Sequence, residues 1–155
     1  MKRINVIKKI MNDVHDELVI CSTGMASREV YAVKDRPENF YVMGSMGAAL
    51  GIGIGLALNT KRNVIVIAGD GDVLMSLGTL VLANKLKLKN LRIIILDNNC
   101  YSSTGCQPTC SDAVDFTKIA KCEVFKIDPE KGYSSRIKLS HKEIMRRFYH
   151  AINNS

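Results

Sequence analysis

Apolar residues in this chain follow two rhythms. Short, near-continuous apolar runs stand at Leu18–Cys21, Phe40–Val42, Val64–Ala68 and Leu91–Asp97, and Glu123–Ile127 reads as a last strand. Between them, apolar positions recur at three- and four-residue intervals, as in Ile4, Ile7, Ile10, Met11 and Val14. The first rhythm predicts buried strands and the second amphipathic helices. Helices are expected over Lys2–Val14, over Arg28–Val33 with Ser27 as N-cap, from about Ser45, over Val73–Lys89 and briefly over Asp115–Ala120. A closing helix spans Ser140–Ile152, where Ser140 and Glu143 have capping-box spacing. Ser22-Thr23-Gly24 and Asp35–Asn39 interrupt as a turn and a loop, and Asp97–Ser111 is a long polar loop without periodicity. Strands that alternate with helices and carry almost no polar residue predict a parallel sheet covered on both faces. The expected fold is a single doubly wound α/β domain over residues 1–155.

Composition agrees. At 46% apolar and 24% charged residues the chain is ordinary globular material, and 155 residues suffice for one core. No repeat or low-complexity stretch interrupts it. Val42–Leu58 runs seventeen residues without a charge, the lower limit of a membrane span. A strand follows only five residues later and leads into a polar motif. The stretch therefore reads as a buried core helix, in which Gly47, Gly51 and Gly55 leave one face bare for close packing. The net charge of +7 comes largely from Lys2, Arg3, Lys8 and Lys9, and from Lys138, Lys142, Arg146 and Arg147. Both clusters lie on helical patterns without interleaved aromatics, so solvated helix faces account for them and a nucleic-acid surface does not. Five cysteines and a first segment lacking an apolar secretory core predict free thiols and a cytoplasmic location. Cys106 and Cys110 have three residues between them and no second ligand pair, which argues against structural zinc.

Candidate chemistry sits where two of the strand runs end. Val64–Ala68 is followed by Gly69-Asp70-Gly71, and Leu91–Asp97 by Asn98-Asn99, with twenty-six residues between Gly71 and Asn98. A βαβ unit would bring both turns to the carboxyl edge of the sheet, where open α/β sheets bind ligands. Asp70 offers a carboxylate oxygen and Asn98 an amide oxygen, a hard donor set suited to Mg²⁺ or Ca²⁺ with a phosphate. Gly69 and Gly71 allow close backbone approach, and a helix start there favours an anion.

This combination resembles the cofactor motif of thiamine diphosphate (ThDP) enzymes, in which GDG is followed after about 26 residues by NN. The resemblance implies ThDP and Mg²⁺ as cofactors, with Asp70, the Asn98 side chain and the Cys100 carbonyl as metal ligands. A one-residue shift of register would select Asn99 and Tyr101 instead. Gly71 and Asp72 would present backbone N–H groups to the diphosphate. Asp72 departs from the small residue that often follows GDG. Gly44-Ser45-Met46-Gly47 resembles a second element, in which Met46 lies under the cofactor to enforce its bent shape and the Gly44 carbonyl accepts from its amino group. Ser22–Glu29, Asp35–Tyr41, Gly44–Gly47 and Ser103–Thr109 together resemble sulfopyruvate and phosphonopyruvate decarboxylases over residues 18 to 125. Cys106 stands where those relatives often have glycine, and Thr23, Ser102, Ser103 and Gln107 are candidate contacts.

The family also needs a glutamate on a pyrimidine-binding domain, and none of Glu17, Glu29, Glu38, Glu123, Glu130 or Glu143 matches its motif. The resemblance therefore implies no catalytic residue in this chain with confidence to name, and a β subunit that is inactive alone. Its partner would be an α subunit carrying the pyrimidine domain, in a hetero-oligomer acting on a small 2-oxoacid. The implied reaction converts 3-sulfopyruvate to sulfoacetaldehyde and CO₂, toward coenzyme M. Alternatives are a phosphonopyruvate decarboxylase, a 2-oxoacid:ferredoxin oxidoreductase β chain (whose Cys-x-x-Cys cluster sites are missing here) and a non-catalytic ThDP-binding subunit.

Overall fold

The computed structural model describes residues 1–129 and 134–153. Its elements run α1 (Arg3–Asn12), β1 (Leu18–Cys21), α2 (Met25–Val33), β2 (Asn39–Tyr41), α3 (Ala49–Asn59), β3 (Val64–Gly69), α4 (Asp70–Met75) and α5 (Leu77–Leu86). They continue with β4 (Leu91–Asp97), β5 (Cys100–Tyr101), β6 (Gln107–Pro108), a 3₁₀ turn (Ser111–Ala113), α6 (Phe116–Ile119), β7 (Glu123–Lys126) and α7 (His141–Asn153). Five strands form one parallel sheet in the order β2-β1-β3-β4-β7. This is the doubly wound α/β fold expected, with its order reversing between β1 and β3.

Alternate residues of each strand feed two cores. Val64, Val66 and Ala68 of β3 pack with α3, α4, α5 and α6, while Ile65 and Ile67 pack with α1 and α2. The closing helix straddles the β2 edge, sending Phe148 to the first core and Ile144 to the second. Phe148 meets Phe40 at a ring-centroid distance of 5.2 Å. Its capping box forms as expected: the Glu143 N–H donates to Ser140 Oγ (3.3 Å) and the Ser140 N–H to Glu143 Oε2 (2.8 Å).

Several local expectations give way. The helix of Val30 begins at Met25, with Gly24 at its N-cap. Ser27 lies inside, buried, and its hydroxyl donates back to the Gly24 carbonyl at 3.0 Å. The glycine-rich helix starts at Ala49, because Gly44–Gly47 is held in a turn by Met46 N–H to Gly44 carbonyl and Ala48 N–H to Ser45 carbonyl bonds of 2.9 and 3.2 Å. Gly51 and Gly55 of the anticipated bare face point to solvent. The close contact is made by Gly53, where an added Cβ would lie 2.2 Å from Val66 Cγ2. The single helix predicted over Val73–Lys89 is broken at Ser76 (φ −135°, ψ 43°) into α4 and α5.

The polar loop after β4 contains the antiparallel pair β5–β6. Three successive N–H groups, of Thr104, Gly105 and Cys106, converge on the Tyr101 carbonyl. This turn brings Cys100 and Cys106 to a Cα separation of 4.7 Å, and they form a disulfide; Cys21, Cys110 and Cys122 are free. The expectation of five free thiols is thereby corrected. Cys106 adopts φ 59°, the left-handed conformation glycine takes most easily. The anticipated solvated basic face also fails at Arg3, which is buried and donates to both carboxylate oxygens of Glu29 at 3.1 and 3.0 Å. Among the described residues no helix is long and apolar enough to cross a membrane, and no group of three or more His, Cys, Asp or Glu could hold a metal.

Candidate functional site

A cleft of about 390 Å³ opens over the carboxyl ends of β1, β3 and β4. It lies at the β1–β3 reversal, where this strand order leaves room for a ligand. Ser22 bridges the two strands, its Oγ accepting the Gly69 N–H at 3.3 Å. The cleft is lined by Thr23, Met46, Gly69–Asp72, Asn98 and Cys100–Thr104, among others. Candidate residues scattered over the sequence are thus gathered in one place. Gly44, Ser45 and Gln107 are not among the lining residues; Gln107 lies on exposed β6, accepting from the Thr104 hydroxyl at 2.9 Å.

Parallel pairing of Gly69 with Leu96 sets the two polar turns side by side. Asp70 is 2% exposed. Its Oδ2 accepts the Thr109 hydroxyl, and its Oδ1 faces the Asn98 amide. One terminal atom of that amide lies 3.1 Å from Asp70 Oδ1 and 2.9 Å from the Cys100 carbonyl oxygen. As NH₂ it donates to both; turned over, it presents Oδ1 to the same point. Those two spacings, 3.1 and 2.9 Å, lie close to the octahedral edge of about 2.9 Å that Mg–O bonds of about 2.0–2.1 Å give. The donor set therefore fits a small hard cation. Asn99 (φ 57°) turns away from it: its N–H donates to Asp97 Oδ1 at 3.1 Å and its Oδ1 accepts the Ser111 hydroxyl at 3.0 Å.

The electrostatics ask for a cation. Burial pushes the Asp70 carboxyl above its ordinary range, and the Asp97 charge adds to this while the Thr109 hydroxyl opposes it. Asp97, also buried, is met by Lys126 and by Ser111 Oγ, the latter at 2.7 Å. Asp72 is 2% exposed and raised by burial, with the Gly47 N–H donating to its Oδ1 at 2.8 Å.

Room for a diphosphate is uneven. An added Cβ at Gly69 would meet nothing within 4 Å. At Gly71 it would lie 2.5 Å from Tyr101 Cε1 and 3.1 Å from Thr109 Cγ2, so packing of the β5–β6 hairpin on α4 requires this glycine. Tyr101 covers the helix start there. Met46 lines the cleft at 37% exposure, and the Gly44 carbonyl already accepts the Met46 N–H. Sequence reasoning missed Thr109, Ser111 and Arg3. Thr109 lies within a stretch that carried the resemblance; Arg3 gave no signal, being one basic residue among several.

Known proteins match in the same region. The profile of the thiamine pyrophosphate enzyme C-terminal TPP binding domain covers residues 20–136. The sulfopyruvate decarboxylase subunit β of Methanothermobacter thermautotrophicus is 46% identical over 127 residues, which is 82% of this chain and 69% of that protein. Its namesake from Methanocaldococcus jannaschii is 50% identical over 70% of this chain and 58% of its own length. A phosphonopyruvate decarboxylase of Streptomyces viridochromogenes is 42% identical over 76% of this chain and 30% of its own length. In fold, the X-ray structure of a proposed thiamin diphosphate-dependent enzyme from Mycobacterium smegmatis superposes with a TM-score of 0.63 at 18% identity, covering 99% of this chain and 30% of the other. Motif, cleft and relatives converge, and the chain belongs to the thiamine pyrophosphate enzyme family through its C-terminal TPP-binding domain.

Proposed function

We propose that residues 1–155 act as one domain, the diphosphate-holding half of a 2-oxoacid decarboxylase, with 3-sulfopyruvate as substrate. The convergence of Asp70 Oδ1, the Asn98 amide and the Cys100 carbonyl at one point of the cleft carries this reading. Those three groups hold Mg²⁺. Gly69 and the backbone N–H groups of Gly71 and Asp72 face the diphosphate, where the start of α4 and its two peptide dipoles favour negative charge. Met46, which follows the Gly44-Ser45 turn and lines the cleft, would support the cofactor, and Tyr101 would shield the hairpin side from water. When bound, ThDP supplies the electron sink for loss of CO₂.

The remaining part of the site comes from a partner. Relatives named subunit β support a partner subunit; in this reading it is an α chain that carries the pyrimidine-binding domain and the activating glutamate, in a hetero-oligomer. Glu29, a buried glutamate of this chain, is already committed to Arg3. Mixing the chain with a separately expressed pyrimidine-domain partner, ThDP and Mg²⁺ should give CO₂ release from 3-sulfopyruvate, and the chain alone should give none. Turnover by the chain alone would refute the shared site. The 42% identity to a phosphonopyruvate decarboxylase supports a second reading, in which 3-phosphonopyruvate is the better substrate; competition between the two oxoacids in that assay separates them.

A further inference from the structure

The Asp72 side chain has no role in the ligand set, yet it is among the most deeply buried carboxylates in the described structure, at 2% exposure. It stands two residues after Asp70, in the first turn of α4, and lines the same cleft. Its Oδ1 reaches across 25 residues of sequence to accept the Gly47 N–H at 2.8 Å. Its Oδ2 is buried without a hydrogen-bond partner among the described residues. Buried carboxylates are kept where they hold something that apolar residues cannot.

What Asp72 holds is the turn that carries Met46. Gly44–Gly47 is internally bonded, by Met46 N–H to Gly44 carbonyl and Ala48 N–H to Ser45 carbonyl. Gly47 also lies against the end of α4, where its added Cβ would sit 3.3 Å from Met75 Cβ. The bond to Asp72 thus ties this turn to the helix that begins with Asp70. We propose that Asp72 is a positioning residue, which fixes the height and direction of Met46 relative to the cation-binding turn. The inference rests on the cofactor reading of the cleft. An acceptor oxygen is the requirement, not a charge, because no cation meets the carboxylate among the described residues.

The test compares wild type, Asp72→Asn and Asp72→Ala as the full chain. Amide hydrogen exchange is read at Gly47 and at the β3 core, and Mg²⁺·ThDP affinity is read calorimetrically in the presence of the partner. In Asp72→Ala, Gly47 should exchange at least about tenfold faster while β3 amides stay protected. ThDP affinity should fall by about tenfold in that variant. Asp72→Asn keeps an acceptor oxygen and should restore both values to within about twofold. Unchanged Gly47 protection in Asp72→Ala overturns the proposal, as does an Asp72→Asn variant that behaves like alanine. If alanine fails to fold, the asparagine variant decides alone by retaining or losing Gly47 protection and ThDP affinity. Wild-type chain that binds no ThDP refutes the cofactor reading instead, and with it the inference; the two failures are told apart because the Gly47 exchange needs no cofactor.

Discussion

Thr109→Val isolates one hydroxyl beneath the proposed cation site. Thr109 is 6% exposed, its hydroxyl donates to Asp70 Oδ2, and its methyl packs toward Gly71. Valine keeps that shape and removes the donor. A hydrogen bond to a charged group contributes about 1.5–3 kcal/mol, and its loss leaves a buried oxygen unsatisfied. Asp70 is already raised by burial, so without Thr109 its carboxyl moves higher still and protonates more readily. Protonation offers an escape, which limits the cost, so the free chain should lose about 2 kcal/mol at neutral pH. The hydroxyl also holds Oδ2 aside and so leaves Oδ1 aimed at the Asn98 amide. Partners that orient a metal ligand are typically worth about 10–100-fold in affinity. Mg²⁺-dependent ThDP affinity should therefore weaken by at least about tenfold. Thr109→Ser, which keeps the hydroxyl, should lose about 0.8 kcal/mol of stability for the missing methyl and hold its affinity within about twofold. Urea unfolding with and without Mg²⁺·ThDP gives the first quantity and titration calorimetry of the partnered chain the second. Thr109→Val with wild-type stability and affinity would refute the idea that this hydroxyl orients Asp70.

Further expectations concern ligand, packing and pH. Asp70→Ala should abolish Mg²⁺-dependent ThDP binding by calorimetry, and an unchanged affinity would remove the cation site from Asp70. Gly55→Ala should raise stability by about 0.5–1 kcal/mol because its Cβ meets open space, whereas Gly53→Ala forces a methyl into Val66 and should cost about 1–3 kcal/mol. Equal thermal stabilities for those two variants would contradict the α3–β3 packing. Glu123 is held below its ordinary range by hydrogen bonds from Arg92, with burial opposing. Its stabilisation is therefore present above the unfolded carboxyl value of about 4.3 and is lost as pH falls through the lower folded value. The pair is nearly half exposed, so Glu123→Gln should remove only about 0.5 kcal/mol at pH 7 and less toward pH 3; a larger effect at the acid end would reverse the sign argued here.

The strands were legible because burial on both faces leaves an unbroken apolar run, and β1, β3 and β4 fall where those runs stand. The donors of the proposed cation site stood out in the sequence, since Asp70 and Asn98 end two such runs. What the pattern could not show was tertiary in origin. Helix periodicity continues through Ser76, so the break between α4 and α5 left no mark. Gly51 and Gly55 have the spacing of a packing stripe, but the face turned to β3 carries Gly53. Asn98 and Asn99 are adjacent and chemically identical; their separation depends on the left-handed Asn99 and on Ser111, twelve residues away. The Cys100–Cys106 pairing arises from three N–H groups sharing the Tyr101 carbonyl, a local fold with no periodic signature.

The ladder that joins Gly69 to Leu96 has a consequence for how such proteins vary. Asp70 and Asn98 lie far apart in sequence, with α4 and α5 between them, yet their juxtaposition is dictated by backbone pairing of two adjacent strands. The crossover could gain or lose a helical turn without moving either donor, whereas a slip of one residue in the ladder would send their side chains to opposite faces. Insertions between the two turns are thus a neutral direction of change for the cation site. The register of β3 against β4 is the inherited measurement, and the count of residues between the motifs merely records the length of the bridge.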